Sequence, residues 1–296
     1  MAPTSIDSAF IDSEAWMPGL APQRFRWGRA MSGAARVATN GQRTPGKVAV
    51  YATCYVNYNE PGIGEDLLKV LDHNDIPYEI VEKEQCCGMP KLELGDLESV
   101  ERAKNENIPV LAKYAREGYA IVSAIPSCTL MFKQELPLMF PDDADVQLVK
   151  EAMFDPFEYL VARHKDGLLK TDFKAALGKV SYHIPCHGRV QNIGRKTEEM
   201  FKLIGKTVHV QLNTVERCSG HAGTYGVKTP THPVAMKIGK PVFRAMMSNA
   251  PKYISSDCQL SGHHIEQGIR EGQFGDVKPE LAHPISLIAK AYGLSK

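Results

Sequence analysis

The sequence lacks a long apolar run, and it lacks a strong net charge of either sign. No apolar segment approaches the roughly 20 residues that a membrane-spanning helix needs, and nothing like a signal peptide opens the chain. With 35 Lys and Arg against 34 Asp and Glu, the formal net charge is +1. This balance does not favour nucleic acid or a lipid surface as a partner. These absences predict a protein with no membrane span and no nucleic-acid partner.

Two common motifs are also missing. The sequence has no Gly-x-Gly-x-x-Gly fingerprint of a flavin or dinucleotide site, and it has no Cys-x-x-Cys redox pair. Its 7 cysteines are an odd number, in a chain of 296 residues that can bury a core without cross-links. Paired disulfides of a secreted protein are therefore a poor explanation. A cytoplasmic protein whose thiols stay reduced and bind a metal fits the count better.

The cysteines that are present follow one duplicated pattern. The first set lies in the first half of the chain and consists of Cys54, Cys86, Cys87 and Cys128. The second set occupies equivalent places in the second half and consists of Cys186, Cys218 and Cys258. The offset between the sets is 132 residues for two positions (186−54 and 218−86) and 130 for the third (258−128). The repeat indicates two related folding units that present sulfur at equivalent places.

The hydrophobic pattern predicts the fold. Short β-type runs that lead into cysteines, such as residues 47–53 and 179–184, alternate with helical patterns of ten or more residues. This alternation predicts an α/β fold of two pseudo-symmetric cysteine-rich domains, each a small parallel sheet with crossover helices. We place the first domain at residues 47–170 and the second at residues 171–296.

Residues 1–46 differ from the rest and form an N-terminal arm and linker. They contain four prolines and the aromatic residues Trp16, Phe25 and Trp27, which are too many for a plain spacer. The composition predicts an arm that docks on the protein itself or on a partner, with a flexible stretch over residues 32–46. An ordered tail packed on its own domain fits the composition equally well.

The predicted fold explains why the cysteines follow strands. In a parallel sheet the carboxyl ends of the strands meet at one edge, so three loops would bring each set together. Gly88 and Gly220 permit tight turns, so that thiolates and backbone amides face one ligand. Thiolates from separate segments bind soft metals or iron–sulfur clusters. Structural zinc sites commonly use closer cysteine pairs, and a four-thiolate zinc site in the first set remains an alternative.

Histidines and basic residues are concentrated around the second set. Five histidines lie there, and each could supply a metal ligand or a proton: His183, His187, His221, His263 and His264. His187 follows Cys186 directly and His221 follows Gly220, so these two are the strongest candidates; a surface or capping role stays open for each. The basic residues could bind an anionic substrate or offset cluster charge, and they are Arg189, Arg195, Lys196 and Arg217.

At these residues the sequence resembles the cysteine-rich CCG-domain family, which includes the B-type subunit of heterodisulfide reductase and the C-type subunit of anaerobic glycerol-3-phosphate dehydrogenase. The resemblance covers residue 47 to the C-terminus and includes Cys86-Cys87-Gly88 and the segment 218–226. It implies an iron–sulfur oxidoreductase subunit of a heterodisulfide-reductase-like complex, which carries electrons and performs thiol/disulfide chemistry. The implied partners are a ferredoxin-like C-type subunit and a flavin-containing subunit. The implied substrate is a small thiol, disulfide or organic acid.

The sequence departs from the family pattern at three positions. In catalytic members, five thiolates hold a non-cubane cluster that binds and splits a disulfide. Met131 takes the fifth position of the first set, and the four remaining thiolates suit an ordinary 4Fe–4S cubane. Ser219 and Ser261 take two positions of the second set, whose cluster is then 4Fe–4S, 3Fe–4S or none. The catalytic residues expected at this more accessible site are Cys186, Cys218, Cys258, His187 and His221.

Two other functions stay open at the level of sequence. The protein could be a non-catalytic scaffold subunit with a structural zinc or a vestigial metal site. It could also be a cluster-free thiol relay that uses the adjacent Cys86 and Cys87. The relay is the weakest hypothesis, because a disulfide between adjacent residues is strained.

Overall fold

The computed structural model describes residues 11–26, 37–272, 274 and 277–295. Its strands are β1 (Val48–Val50), β2 (Tyr78–Ile80), β3 (Ala120–Val122), β4 (Met153–Phe154), β5 (Gly178–His183), β6 (Val210–Val215), β7 (Tyr253–Ser256) and β8 (Glu280–Leu281). They form two four-stranded sheets with the orders β2-β1-β3-β4 and β6-β5-β7-β8. The two sheets have the same topology, because β5, β6, β7 and β8 occupy the positions of β1, β2, β3 and β4.

The helices alternate with these strands. Those of the first half are α1 (Thr53–Tyr58), α2 (Pro61–His73), α3 (Met89–Leu92), α4 (Leu97–Arg116), α5 (Pro126–Leu130), α6 (Leu136–Met139), α7 (Ala144–Ala152) and α8 (Pro156–Lys165). A π-helical turn, Met131–Glu135, joins α5 to α6. Those of the second half are α9 (Cys186–Arg189), α10 (Lys196–Ile204), α11 (His232–Met246), α12 (Gln259–Gly272) and α13 (Pro284–Tyr292). A 3₁₀ turn, Gly223–Val227, precedes α11.

Strand pairing confirms the predicted α/β class with two pseudo-symmetric units. In the first sheet β1 runs parallel to both neighbours, with Val48 opposite Tyr78 on one side and Ala120 on the other. In the second sheet β5 and β7 are parallel, with Val180 opposite Tyr253. All residues of β1 and β3 are buried. Unbroken apolar strands of this kind are typical of parallel sheets that are covered on both faces.

Helices of the two repeats are exchanged inside one compact unit. That unit contains the described residues within 20–177, 187–210 and 284–295, and the other contains the described residues within 11–19, 178–186 and 211–283. Within the first of them α13 packs on α2 and α10 packs on α8. Each pair joins a helix of one repeat to a helix of the other. The boundaries that we predicted from the repeat, residues 47–170 and 171–296, are therefore not those of the compact units, and they stay a prediction about the repeat.

The described part of the N-terminal arm packs on the protein itself. Phe25 is fully buried, and its backbone N–H donates to the carbonyl of Asn57 in α1 at 3.1 Å. Trp16 stacks on His263, with ring centroids 3.8 Å apart. This is the ordered tail that the sequence left as the alternative. Trp27 lies outside the described residues.

Residues 37–46 differ from the flexible stretch that we expected. The buried guanidinium of Arg163 donates to the carbonyl of Thr39 at 2.6 Å, and the hydroxyl of Tyr159 donates to the carbonyl of Pro45 at 2.8 Å. Buried donors need acceptors, and the linker backbone supplies them here. Residues 32–36 of the same stretch lie outside the described residues. In the part of the chain that the structure describes, no helix is long and apolar enough to cross a membrane.

Candidate functional site

The thiols of the first set meet at the carboxyl edge of the first sheet. Cys54 lies in the first turn of α1, just beyond β1, and Cys128 lies in α5, just beyond β3. Cys86 and Cys87 lie in the loop that joins β2 to α3. The strands are parallel, so their ends deliver these three loops to one place. The sequence anticipated this arrangement from the strand pattern.

The four sulfur atoms form one continuous hydrogen-bonded row. Cys54 and Cys87 both donate to Cys86, and Cys87 also contacts Cys128. Cys54 and Cys86 are exposed, whereas Cys87 and Cys128 are buried. Within the described residues, no group of three Cys, His, Asp or Glu side chains is arranged to hold a single metal ion. The row therefore spans from the solvent to the core and is built by three separate loops.

Hydrogen bonds shift the pKa values of these thiols in opposite directions. The pKa of Cys86 is lowered, first by the hydrogen bond from Cys54 and then by the one from Cys87, and the N–H of Gly88 and the charge of Lys91 add to the effect. The pKa of Cys54 is raised first because its thiol donates to Cys86 and then because surrounding protein atoms partly desolvate it. The lowered pKa favours the thiolate form at Cys86, and the thiolate is the form that binds iron. This donor set fits an iron–sulfur cluster.

The residue at the fifth family position cannot join this row as a thiolate. Met131 is fully buried in the core beneath the first set. A Cβ atom on Gly88 would lie 3.6 Å from Met131 Cε, so the methionine packs against the turn that carries the adjacent cysteines. A thioether there contributes packing, and four sulfurs remain for a ligand.

Two further groups beside the first set were not anticipated from sequence. The hydroxyl of Tyr51 donates to the carbonyl of Gln85. Glu84 Oε2 accepts from the backbone N–H of Ala52 at 2.8 Å. Burial raises the pKa of Glu84 to about 7, against the opposing charge of Arg26. Neither residue belongs to a sequence motif. Each reaches the site because of the path that the chain takes after a strand, which the sequence pattern does not predict.

The second set is more open than the first. Cys186 begins α9 and Cys218 follows β6, and both are exposed. Cys258 stands directly before α12 and is partly buried. Gly220 N–H donates to Cys218 Sγ at 3.4 Å, as Gly88 N–H does to Cys86 in the first set. The same backbone device therefore supports the equivalent sulfur in each repeat.

Serines fill the positions of the two missing thiols. Ser219 Oγ lies 3.3 Å from Ser261 Oγ, and both side chains are buried. Burial raises the pKa of Cys258, and a hydrogen bond from Ser261 opposes that rise. The two lost positions therefore lie next to each other, and one of them contacts Cys258. The second repeat therefore has hydroxyl oxygens at the two positions where the sequence resemblance led us to expect sulfur.

The structure separates the histidines that we grouped with the second set. His187 faces first-repeat residues: its Nδ1 lies 2.9 Å from Ser127 Oγ and its Nε2 lies 3.7 Å from Glu93 Oε1. His183 is buried, with Nδ1 3.1 Å from Ser256 Oγ and Nε2 2.9 Å from the carbonyl of Arg217. These contacts give His183 a structural role.

His221 belongs to a buried group of three imidazoles. Its ring lies 5.6 Å from that of His264, which lies 6.4 Å from that of His232. His232 Nδ1 lies 2.6 Å from the carbonyl of Gly226, and sequence spacing gave no hint of this residue. Burial, with the neighbouring imidazoles, lowers the pKa of His221 to about 4, and burial lowers that of His264 to about 4. Both rings are therefore neutral near pH 7.

Acid should destabilise the metal-free protein through these histidines. A pKa of about 4 in the folded chain, against about 6.5 when unfolded, means that the stabilisation is complete above pH 6.5 and is lost as the pH falls to 4. The loss should reach at most about 3 kcal/mol per histidine. Urea unfolding at several pH values measures it. H264Q should flatten this dependence, whereas H209Q, at an exposed histidine, should not; equal slopes in all three proteins would contradict the expectation.

Two repeats that present cysteines at the carboxyl edge of a parallel sheet define a duplicated cysteine-rich protein. The model of the cysteine-rich CCG domain family matches residues 48–133 and again residues 180–266, and the chain belongs to this family.

The chain is similar to several named relatives. It is 27% identical over 290 residues to the C-type subunit of anaerobic glycerol-3-phosphate dehydrogenase from Escherichia coli, a match that covers 97% of this chain and 68% of the relative. It is 27% identical over 257 residues to the B-type subunit of fumarate reductase (CoM/CoB) from Methanothermobacter marburgensis, covering 85% and 48%. It is 25% identical over 248 residues to an uncharacterised iron–sulfur protein of Methanocaldococcus jannaschii, covering 82% and 46%. The chain thus spans less than half the length of the last two relatives.

Proposed function

We propose that this protein is an iron–sulfur redox subunit of a heterodisulfide-reductase-like oxidoreductase complex. The observation that carries the proposal is the row of four sulfurs at the carboxyl edge of the first sheet. The residues that would hold a 4Fe–4S cluster there are Cys54, Cys86, Cys87 and Cys128. Such a cluster supplies one-electron transfer, and its potential depends on solvent exposure and on hydrogen bonds to sulfur.

The chain's own residues give the first site these properties. The N–H of Gly88 and the charge of Lys91 both favour the anionic form of Cys86, so they offset negative charge at the site. Cys87 and Cys128 are buried and anchor one side in the core. Cys54 and Cys86 are exposed on the other side. Electrons from a partner would enter through this exposed side, because a redox partner needs a short path to the centre.

The second set is the substrate-facing site of the proposal. The exposed thiols of Cys186 and Cys218 can meet a small thiol or disulfide, or the substrate is an organic acid. Reducing a disulfide to two thiols breaks the S–S bond and consumes two electrons and two protons, and the electrons would come from the partner subunits. His221 is buried among other histidines, so protons would reach the substrate from another donor. A cluster held by Cys186, Cys218 and Cys258 would have three thiolates.

The names of the relatives support a role inside a complex. Two of them are subunits, of a glycerol-3-phosphate dehydrogenase and of a fumarate reductase, and a third is an iron–sulfur protein. The partners that we propose are a ferredoxin-like C-type subunit and a flavin-containing subunit. The proposed location is the cytoplasm, where thiols stay reduced.

Metal analysis of protein purified and reconstituted without oxygen tests the proposal. We expect a brown protein with broad visible absorption, with about four iron and four acid-labile sulfide for the first site and an EPR signal after reduction. Iron above that amount would belong to the second set. A colourless protein without iron and sulfide would overturn the proposal. About one zinc per chain and no sulfide would instead favour the scaffold function.

A further inference from the structure

One end of the arm segment formed by residues 11–16 pairs with the chain just after the 3₁₀ turn. Ile11 forms an antiparallel bridge with Lys228. The N–H of Asp12 donates to the carbonyl of Val227 at 2.9 Å. These backbone contacts fix the segment to the loop that begins at the second cysteine of the second set.

The other end of the same segment is fixed to α12. Trp16 stacks on His263, with centroids 3.8 Å apart and ring planes 12° apart. One helical turn further on, Gln267 Oε1 accepts from the N–H of Trp16 at 2.9 Å, and Gln267 Nε2 donates to the carbonyl of Glu14 at 2.6 Å. Gln267 is 2% exposed, so water competes little for these bonds.

The two elements that the segment joins both carry parts of the second set. The 3₁₀ turn packs on His221, since a Cβ on Gly226 would lie only 2.6 Å from the carbonyl oxygen of His221, and His221 stands three residues after Cys218. Helix α12 begins directly after Cys258. A displacement of either element would therefore change the spacing between Cys218 and Cys258.

We propose that residues 11–16 form a clasp that holds the Cys218 loop against α12 and so controls access to the thiol of Cys258. Trp16 and Gln267 are its positioning residues. The second set has three thiols, so a cluster bound there would cross-link the surrounding loops less than a cluster bound by four thiolates. Contacts within the polypeptide must then hold these loops in place. The inference rests on the proposed function for its purpose, because the clasp matters for catalysis only if this site is redox-active. Its structural part is independent of any cluster.

Pulsed alkylation of the reduced, metal-free protein, followed by mass spectrometry of each cysteine peptide, tests the clasp. Cys258 is partly buried, so its modification rate reports on opening between α12 and the loop. In W16A the loss of an aromatic stack worth about 0.5–1.5 kcal/mol should raise that rate about 2- to 12-fold. The rates of the buried Cys87 and Cys128 should stay unchanged, because the contacts that define the clasp all lie within the unit that holds the second set.

Two matched variants complete the experiment. W16F keeps a ring over His263 and should restore a rate near that of the unmodified protein, whereas L20A, at an arm residue that is 83% exposed, should have no effect. An unchanged Cys258 rate in W16A would overturn the clasp. Faster modification of all buried cysteines alike would also overturn it, since that pattern reports general destabilisation. No iron is needed, so failure of the proposed function would leave this result intact.

Discussion

Replacing Cys87 with alanine should lower the iron content of the first site and leave the chain folded. Cys87 is the buried thiol that contacts both Cys86 and Cys128, so its loss divides the row and leaves three sulfurs. Its side chain is small and 4% exposed, and truncation to alanine costs the fold little beyond the lost packing. Anaerobically reconstituted C87A should bind less iron and less sulfide than the parent protein, by up to about four of each per chain.

A variant in the same loop system separates this effect from general damage. S127A removes the hydroxyl next to Cys128, together with its contact to His187 Nδ1 at 2.9 Å, but it leaves all four thiols in place. S127A should therefore keep its full iron content. Circular dichroism of both metal-free variants should match that of the parent. Full iron and an unchanged EPR signal in C87A would show that Cys87 is not a ligand and would remove the main support for a four-thiolate centre.

The fold was predictable because the sequence states its topology twice. Three β-type runs in each half of the chain lead into a cysteine, and the offset between the two sets is almost constant, so one pattern checks the other. The exchange of helices was not predictable. Helices α8 and α13 stand at equivalent places in the repeat, and each has an apolar face. Nothing in the spacing says which neighbouring helix will cover that face, because the choice depends on contacts between segments far apart in the sequence.

The candidate site was predictable only in part, for a similar reason. The positions of the sulfur atoms could be predicted from the ends of the strands, because each cysteine lies only a few residues along the chain from such an end. The histidines could not, because a side chain next to a cysteine in sequence can point away from it. His187 follows Cys186 in the sequence, yet its ring forms a hydrogen bond with the hydroxyl of Ser127. His232 carries no motif and is nevertheless part of the imidazole group. The sequence pattern thus predicts which cysteines share a site better than it predicts the polar neighbours of those cysteines.

Replacing Gly220 with alanine should lower the free energy of unfolding more than the same replacement at any exposed residue of the second repeat. Its φ is +89°, a left-handed conformation that costs residues other than glycine about 1–2 kcal/mol. A Cβ atom there would also lie 2.2 Å from the carbonyl oxygen of Ala235 in α11, and relieving such an overlap costs about 1–3 kcal/mol more. G220A should therefore lose about 2–5 kcal/mol of unfolding free energy in urea, a large share of a typical 5–15 kcal/mol. The substitution should also displace the backbone N–H of residue 220, which donates a hydrogen bond to Cys218 Sγ.

The matched control is the same substitution at a helical glycine with free space around it. Apart from its chain neighbours and the backbone of its own helix, no described atom lies within 4 Å of a Cβ on Gly62 in α2. Alanine is favoured over glycine in a helix by up to about 1 kcal/mol. G62A should therefore unfold at an equal or higher urea concentration, whereas G220A unfolds at a lower one. Equal midpoints for the two variants would mean that the Gly220 turn relaxes without cost. In that case the turn could not hold Cys218 in place, and the backbone device common to both repeats would lose its structural role in the second.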